Sequence, residues 1–260
     1  MRTCSDINSM SYADFVAYIG QINTPPGGFF TIGRWIELAK IQDDGVLLDL
    51  ACSTGFSSRS IVQKTGCVSY GIDISKEAID VANEKAKKNG LNNKLKYIVN
   101  NATELQFENQ YFTHILAGCN FAFIQERRKA LSECYRVLKS SGYLCTANFY
   151  YTTRPPFKLL DRVEKSISFR PKSYWDYNFW NSFLASYFLR ITDECQRLPV
   201  LSDKQLTEAV RHLIYEKSEK LKCQNDTTKK ACYRKLLAIR HALNEHRKYQ
   251  NFNIAIWKPK

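Results

Sequence analysis

The sequence predicts an α/β protein: a doubly wound, mostly parallel seven-stranded sheet with helices on both faces, an N-terminal helical lid, and a helical insertion before the last strand. Three observations carry this. From residue 46 to about 150, short apolar runs alternate with longer amphipathic ones, the pattern of strands joined by crossover helices. After Tyr151 that pattern gives way to aromatic-rich and then highly charged stretches. The terminal FNIAIW alternates and is rich in β-formers, so it reads as a strand returning to the sheet. The expected segments are 1–45 (lid), 46–151 (core), 152–248 (insertion) and 249–260 (final strand).

Taken in order, residues 1–45 read as two short helices, about 11–20 and 31–40, joined by Pro25-Pro26-Gly27-Gly28. GVLLDLA is a buried strand bounded by Gly45 and a Ser-Thr-Gly turn. Gly55–Lys64 follows as a helix and Cys67–Ile72 as a strand. Ser75 is a helix N-cap with an acid in the first turn; the helix behind it lines Ala78, Ile79, Ala82 and Ala86 along one side and ends near Asn89-Gly90. Leu95–Val99 and Phe112–Ala117 are strands. A helix over Gln125–Lys139 places Ala130, Leu131, Cys134, Val137 and Leu138 on one face and ends at Ser-Ser-Gly, before a strand at Tyr143–Tyr150. Arg154-Pro155-Pro156 then breaks regular structure, and the aromatic stretch YWDYNFWNSFLASYF follows. Phe188–Thr192 reads as a sixth strand. Two charged helices, about 203–222 and 228–248, are separated by the polar QNDTT.

Composition sets outer limits. Hydrophobic residues at 44% and charged residues at 24% are ordinary for a globular protein. The opening MRTCSDINSM has no apolar run behind its arginine, and no stretch approaches the ~20 apolar residues of a membrane span, so a soluble cytoplasmic protein is expected. The nine cysteines are scattered and form no CxxC pair, which points to reduced thiols. The four histidines include no HxxxH, so no protein-built metal site is expected. The net charge of +13 is uneven: residues 150–260 hold 22 Lys+Arg against 11 Asp+Glu. An acidic or nucleic-acid partner is one explanation; solvated basic helix faces, with no single charge block, are the plainer one.

Ligands of an open parallel sheet bind outside the carboxyl ends of the strands, at the switch in strand order. The loop after the first strand is Ala51-Cys52-Ser53-Thr54-Gly55, whose small residues let the backbone approach a ligand. Asp73 ends the second strand, where a carboxylate accepts ribose hydroxyls, and Asn101-Ala102 follow the third, where an amide reads an adenine edge. Each alone also reads as a cap or turn residue. The dinucleotide fingerprint GxGxxG is absent, because Ala51 and Ser53 stand where glycines are needed. No GxSxG nucleophile elbow and no paired carboxylates are present.

VLLDLACSTGFSSR resembles the first motif of the class I, Rossmann-like S-adenosylmethionine-dependent methyltransferases, usually hydrophobic-Asp-hydrophobic-Gly-Cys-Gly-Thr-Gly. YGIDISKEAIDVAN resembles the second, RVLKSSGYL the passage into the fifth strand, and FNIAIWKPK the seventh strand. The resemblance implies S-adenosylmethionine as cofactor and S-adenosylhomocysteine as product. It assigns Asp49, Ala51, Cys52, Ser53 and Gly55 to the methionine end, Asp73 to the ribose, Ile74, Asn101 and Ala102 to the adenine, and Asn120 to the sulfonium. FVAYIGQINTPPGG resembles the lid of phosphoethanolamine-type and related small-molecule methyltransferases, with Phe15 where that family has a tyrosine and Tyr12 or Tyr18 nearby. Packing of the first helix is the alternative for these aromatics.

An activated sulfonium needs mainly alignment of the acceptor and exclusion of water. By chain position Tyr150, Tyr151 and His114 are the candidates for a general base, and Phe15, Tyr18, Tyr150 and Tyr151 for substrate contact; His114, leading into an apolar strand, reads first as structural. The leading reading is methyl transfer to a small-molecule or natural-product acceptor, with the C-terminal helices covering the site or forming a homodimer. A tRNA or rRNA methyltransferase using the basic C-terminal half is the second, against which no Asp/Asn-Pro-Pro-aromatic motif follows the fourth strand. A non-catalytic scaffold is the third.

Overall fold

The computed structural model describes residues 3–260, which divide into two compact units. One is built on the sheet and comprises Asn23–Tyr150, Asp176–Gln196 and Asn251–Lys260; the other is helical and takes the described residues up to Ile22, Tyr151–Trp175 and Arg197–Gln250.

The strands of the sheet are β1 (Val46–Leu50), β2 (Val68–Asp73), β3 (Leu95–Val99), β4 (Phe112–Ala117), β5 (Leu138–Tyr151), β6 (Phe188–Arg197) and β7 (Gln250–Pro259). Their order is β3-β2-β1-β4-β5-β7-β6, and β1 through β5 pair in parallel. From β1 the chain moves to one side through β2 and β3, then crosses back to β4 on the other side. The loops after β1 and β4 therefore part and leave a crevice at the carboxyl ends. β1 is buried through Leu47, Leu48 and Leu50, and Ile72, Ile115 and Leu116 flank it, each with almost no exposed surface. Burying one such side chain contributes about 1.5–3 kcal/mol. The sheet therefore holds its strand ends at fixed positions.

Among the described residues the α-helices that accompany the sheet are α3 (Phe29–Leu38), α4 (Phe56–Thr65), α5 (Lys76–Lys88), α6 (Arg127–Val137) and α8 (Tyr177–Leu184). Ser75 caps α5 by accepting from Ala78 N at 3.2 Å, and Gly90 beyond its end takes φ +68°. Trp35 of α3 donates to the Thr146 carbonyl at 3.2 Å, and Trp257 of β7 donates to the Thr146 hydroxyl at 3.0 Å. One β5 residue thus orients a helix and a neighbouring strand.

The helical unit holds α1 (Cys4–Ser9), α2 (Tyr12–Tyr18), α7 (Phe157–Ile167), α9 (Asp203–His212), α10 (Glu219–Lys222) and α11 (Asp226–Arg247). Its core gathers Ile7, Phe15, Val16, Ile19, Val163 and Leu236, among others. Lys235 on α11 donates to the carbonyls of Ile7, Asn8 and Met10 at 2.7, 3.1 and 2.9 Å, and lies 4.9 Å from the centre of the Phe15 ring. A cation on the last carbonyls of a helix is favourable to its dipole, so Lys235 ties the end of α1 to α11. Among the described residues no helix is long and apolar enough to cross a membrane, no cluster suits a metal ion, and all nine cysteines are free.

Several element boundaries differ from the sequence reading. α1 was not expected; a capping box between Thr3 and Asp6 closes its six residues. β5 begins at Leu138, because the SSG read as a turn is absorbed into the strand opposite an irregularity between Phe112 and His114. β6 extends to Arg197. The helix expected over 203–222 breaks after His212 into a π turn (Leu213–Lys217) and the short α10, with extended backbone at Ser218. α7 and α8 stand where only a break and an aromatic stretch were read. Pro156 precedes α7, a position that asks for no backbone donor, and Asp176 caps α8 through Phe179 N at 2.7 Å.

Candidate functional site

The ladder with β2 continues past β1 as far as Cys52, whose N donates to the Ile72 carbonyl at 2.8 Å. It then turns through left-handed backbone: φ is +47° at Ala51, +48° at Ser53 and +69° at Gly55. That conformation costs an L-residue about 1–2 kcal/mol, so Ala51 and Ser53 persist only because neighbours hold them. Ser53 N donates to Asp73 Oδ2 at 2.9 Å, and Asn23 Nδ2 donates to the Ser53 hydroxyl at 3.1 Å. Asn120 Nδ2 reaches the Ala51 carbonyl at 3.4 Å, and Arg59 donates to the carbonyls of Thr54 and Gly55 at 3.0 Å each. The structure thus brings Asp49, Ala51–Gly55, Asp73 and Asn120 together.

Behind the loop, Asp49 caps α4 from within the sheet. Its Oδ2 accepts from Ser58 N at 3.0 Å and from Ser58 Oγ at 2.7 Å. Burial pushes the Asp49 carboxyl up to about 6, with Ser58 pulling it down and the nearby Asp73 charge adding to the rise. Tyr97 of β3 completes the arrangement: its hydroxyl lies 3.0 Å from Ser58 Oγ and donates to the Gly55 carbonyl at 3.1 Å. Tyr97 pairs across the sheet with Gly71, and a Cβ at either Gly71 or Gly55 would sit within 2.5 Å of its ring or hydroxyl. Both glycines make room for this one side chain. Burial and the carboxylates of Asp49 and Asp73 push the Cys52 thiol well up, so it is no nucleophile.

Asp73 also accepts from Ser75 N at 2.9 Å, which fixes the carboxylate plane; a carboxylate has acceptor capacity beyond two amides. Ile74 beside it is 78% exposed, an apolar side chain left on the surface at the strand end. Asn101 accepts from Thr103 N at 3.0 Å, and Ala102 is buried next to it. The Thr54 hydroxyl is buried with no hydrogen-bond partner among the described residues. An unsatisfied hydroxyl in the loop, a fixed carboxylate and an exposed apolar side chain fit a nucleoside-bearing cofactor with polar substituents.

The remaining candidates lie elsewhere. His114 is paired with Leu47 in the first half of β1; its Nε2 lies 2.9 Å from the Ala39 carbonyl and its Nδ1 2.8 Å from the Thr113 hydroxyl. Burial lowers its basicity, and its contacts are those of a core residue. Tyr150 touches Cys195 and Asn251, and burial pushes its hydroxyl up to about 12, which suits a hydrogen-bond donor and not a base at neutral pH. Tyr151 belongs to the helical unit, where its hydroxyl lies 2.6 Å from His246 Nε2. Burial lowers His246 to about 4, so the tyrosine is paired with a neutral imidazole. Phe15 has no exposed surface and Tyr18 very little; both pack in the helical core, as does the half-buried Tyr12 at its edge.

Sequence reasoning missed Asn23, Ser58, Arg59 and Tyr97. Tyr97 left a signal, an aromatic on the strand after YGID where its cross-strand partner is a glycine. Asn148 was missed too. It lies on β5, is buried, and neither atom of its amide has a partner among the described residues.

A family model described as a methyltransferase domain matches residues 48–146. The ubiquinone/menaquinone biosynthesis C-methyltransferase UbiE of Hydrogenovibrio crunogenus is 27% identical over 150 residues, 54% of this chain and 59% of that protein. The chain spans about three fifths of the length of this and of an uncharacterized Haemophilus influenzae protein, 27% identical over 157 residues. The crystal structure of the MccD protein is 42% identical, covers 92% of this chain and all of its own, and superposes with a TM-score of 0.79. A phosphoethanolamine N-methyltransferase of Haemonchus contortus, bound to S-adenosylhomocysteine, is 19% identical with a TM-score of 0.73 over the whole of this chain and 61% of its own; it shares the fold.

Proposed function

The chain belongs to the class I S-adenosylmethionine-dependent methyltransferases, and from that premise we propose that it transfers the activated methyl group to a small-molecule acceptor. The observation that carries the reading is the strained loop after β1, held against Asp73 with an unsatisfied Thr54 hydroxyl inside it. S-adenosylmethionine supplies an electrophilic methyl on a sulfonium. In this reading Asp73 accepts the ribose hydroxyls, Ile74 covers one face of the adenine, and Asn101 and Ala102 meet its edge. The Ala51–Gly55 loop and Asn120 orient the methionine end, and Asp49 acts on it through the N-terminus of α4. Tyr150 orients the acceptor as a donor, so the rate comes from alignment and exclusion of water.

Calorimetry with S-adenosylhomocysteine tests the cofactor half: binding should be measurable, and Asp73→Ala should weaken it at least tenfold. Methyl-labelled S-adenosylmethionine with a panel of acceptors tests the other half. Labelled acceptor together with released S-adenosylhomocysteine supports methyl transfer; absence of S-adenosylhomocysteine binding, or release of a different nucleoside, sinks it. The basic excess of residues 150–260 supports an RNA acceptor as a second reading. RNA binding that weakens steeply with salt would favour it, and a flat salt profile would count against it.

A further inference from the structure

We propose that Asn23 is a positioning residue for the cofactor loop, and that Asn23–Pro25 form a strap across the crevice at the switch in strand order. The proposal rests on the reading of the Ala51–Gly55 loop as the cofactor loop. Its starting point is that this loop carries side chains where the related motif has glycine. Ser53 sits at φ +48°, a conformation that its Cβ disfavours, and glycine would adopt it without cost. What Ser53 offers in exchange is a hydroxyl, and that hydroxyl accepts from Asn23 Nδ2 at 3.1 Å. Beyond the bonds that Arg59 and Tyr97 make to its last carbonyls, the first half of the loop is gripped at the Ala51 carbonyl by Asn120, at Ser53 N by Asp73, and at Ser53 Oγ by Asn23. Asp73 ends β2, and Asn120 opens a 3-10 turn just after β4. Asn23 alone comes from the chain before β1, thirty residues earlier.

Pro25 packs on Gly118, in the loop after β4, so closely that a Cβ there would fall 2.8 Å from Pro25 Cβ. Asn23 touches the loop after β1 and Pro25 the loop after β4, the two loops that part at the switch point. Pro25 and Pro26 hold their own backbone near one φ, which lowers the entropy lost in keeping Asn23 in place. Gly118 therefore serves the close approach of the strap, and Ser53 serves its anchor. The strap keeps the loop shaped before the cofactor arrives, and its contribution appears as affinity.

A double-mutant cycle on the full chain tests this, with S-adenosylhomocysteine affinity read by calorimetry and the stability of the free protein by urea unfolding. Asn23→Ala should raise the Kd about fivefold, the equivalent of one ordinary hydrogen bond of about 1 kcal/mol, while the free protein stays folded with a urea midpoint lowered by no more than one such bond. In a Ser53→Gly background the same Asn23→Ala change should leave the Kd where Ser53→Gly alone puts it. Gly118→Ala, which pushes Pro25 away, should reproduce the loss of affinity and add little to Asn23→Ala. Should Asn23→Ala fail to fold, Asn23→Ser carries the same cycle. An unchanged Kd in Asn23→Ala, or an equal loss with and without the Ser53 hydroxyl, overturns the proposal. Failure of the wild-type protein to bind S-adenosylhomocysteine would instead sink the cofactor reading beneath it.

Discussion

Replacing Ser58 by alanine removes a 2.7 Å hydrogen bond to a buried carboxylate and leaves the 3.0 Å bond from the Ser58 amide in place. Asp49 has an ordinary value of 3.8 and is raised by burial to about 6. At 1.4 kcal/mol per pH unit, that gap is an energy of about 3 kcal/mol. The sign follows from proton counts. Between 3.8 and about 6 the folded state binds the proton that the unfolded state has lost, so stability is full below 3.8 and falls as pH rises through 6. The serine hydroxyl opposes this by favouring the charged form. A hydrogen bond to a charged group is worth about 1.5–3 kcal/mol and a neutral one about 0.5–1.5 kcal/mol. Ser58→Ala should therefore cost about 2 kcal/mol at pH 8, where Asp49 is ionised, and about 1 kcal/mol at pH 5, where it is not. The Asp49 carboxyl should rise by a further pH unit or slightly less. Urea unfolding of both proteins at half-unit steps from pH 5 to 8 measures the difference curve. A loss that is the same at every pH would refute the placement of Asp49 as a buried, serine-dependent cap.

Three further outcomes follow from the same geometry. Gly71→Ala brings a Cβ within 2.4 Å of the Tyr97 ring and should cost about 1–3 kcal/mol in urea unfolding, with a smaller cost when Tyr97 is already leucine. Asn148→Ala removes two buried, unpartnered polar atoms without adding bulk and should cost less than the usual large-to-small change in a core, about 1 kcal/mol or under in thermal unfolding; a loss of several kcal/mol would show that the amide is satisfied. His246, lowered to about 4 from 6.5, stays neutral in the fold while the unfolded chain takes up a proton, so its contribution is present above 6.5 and is lost as pH falls toward 4. His246→Gln should flatten that limb by about 3 kcal/mol, seen as a pH-dependent difference in unfolding free energy. The Asp49 and His246 slopes oppose each other in nearly the same window, which is why each is best read as a difference from its variant.

The sequence carried the sheet well because its signals are local. VLLDL and YGID are apolar runs closed by turn residues, and Ser75 and Gly90 punctuate α5 at its two ends. The third to fifth strands were found the same way, apart from the start of β5, whose boundary depends on pairing with β4. The helical unit was harder. α7 has Leu159, Leu160, Val163 and Ile167 on one face, but the preceding Pro155-Pro156 reads first as a break. α9 looked continuous to residue 222, because nothing local marks the π turn; the interruption answers to packing of Ile214 and Leu221 in the core. At the site, the residues of the loop and Asp73 could be read from their strand ends. Their supports could not, because Asn23, Ser58 and Tyr97 reach the loop through side chains from separate elements. Phe15 shows the converse: an aromatic at helical spacing cannot reveal whether it faces a ligand or a core, and here it is fully buried.

The helical unit has a consequence for anyone who would dissect the protein. It is woven from three stretches of chain that alternate with the sheet unit, and the stretch up to Ile22 brings Ile7, Phe15, Val16 and Ile19 to its core. Trimming the N-terminal helices to ask whether they close over an acceptor would therefore strip one wall from a folded body and leave Leu236 and Val163 bare to water. At about 1.5–3 kcal/mol for each buried side chain lost, such a truncation is expected to fail by collapse before any effect on turnover is seen. Neither body can be expressed from one uninterrupted gene segment. Questions about the first helices have to be put one side chain at a time, in the intact chain.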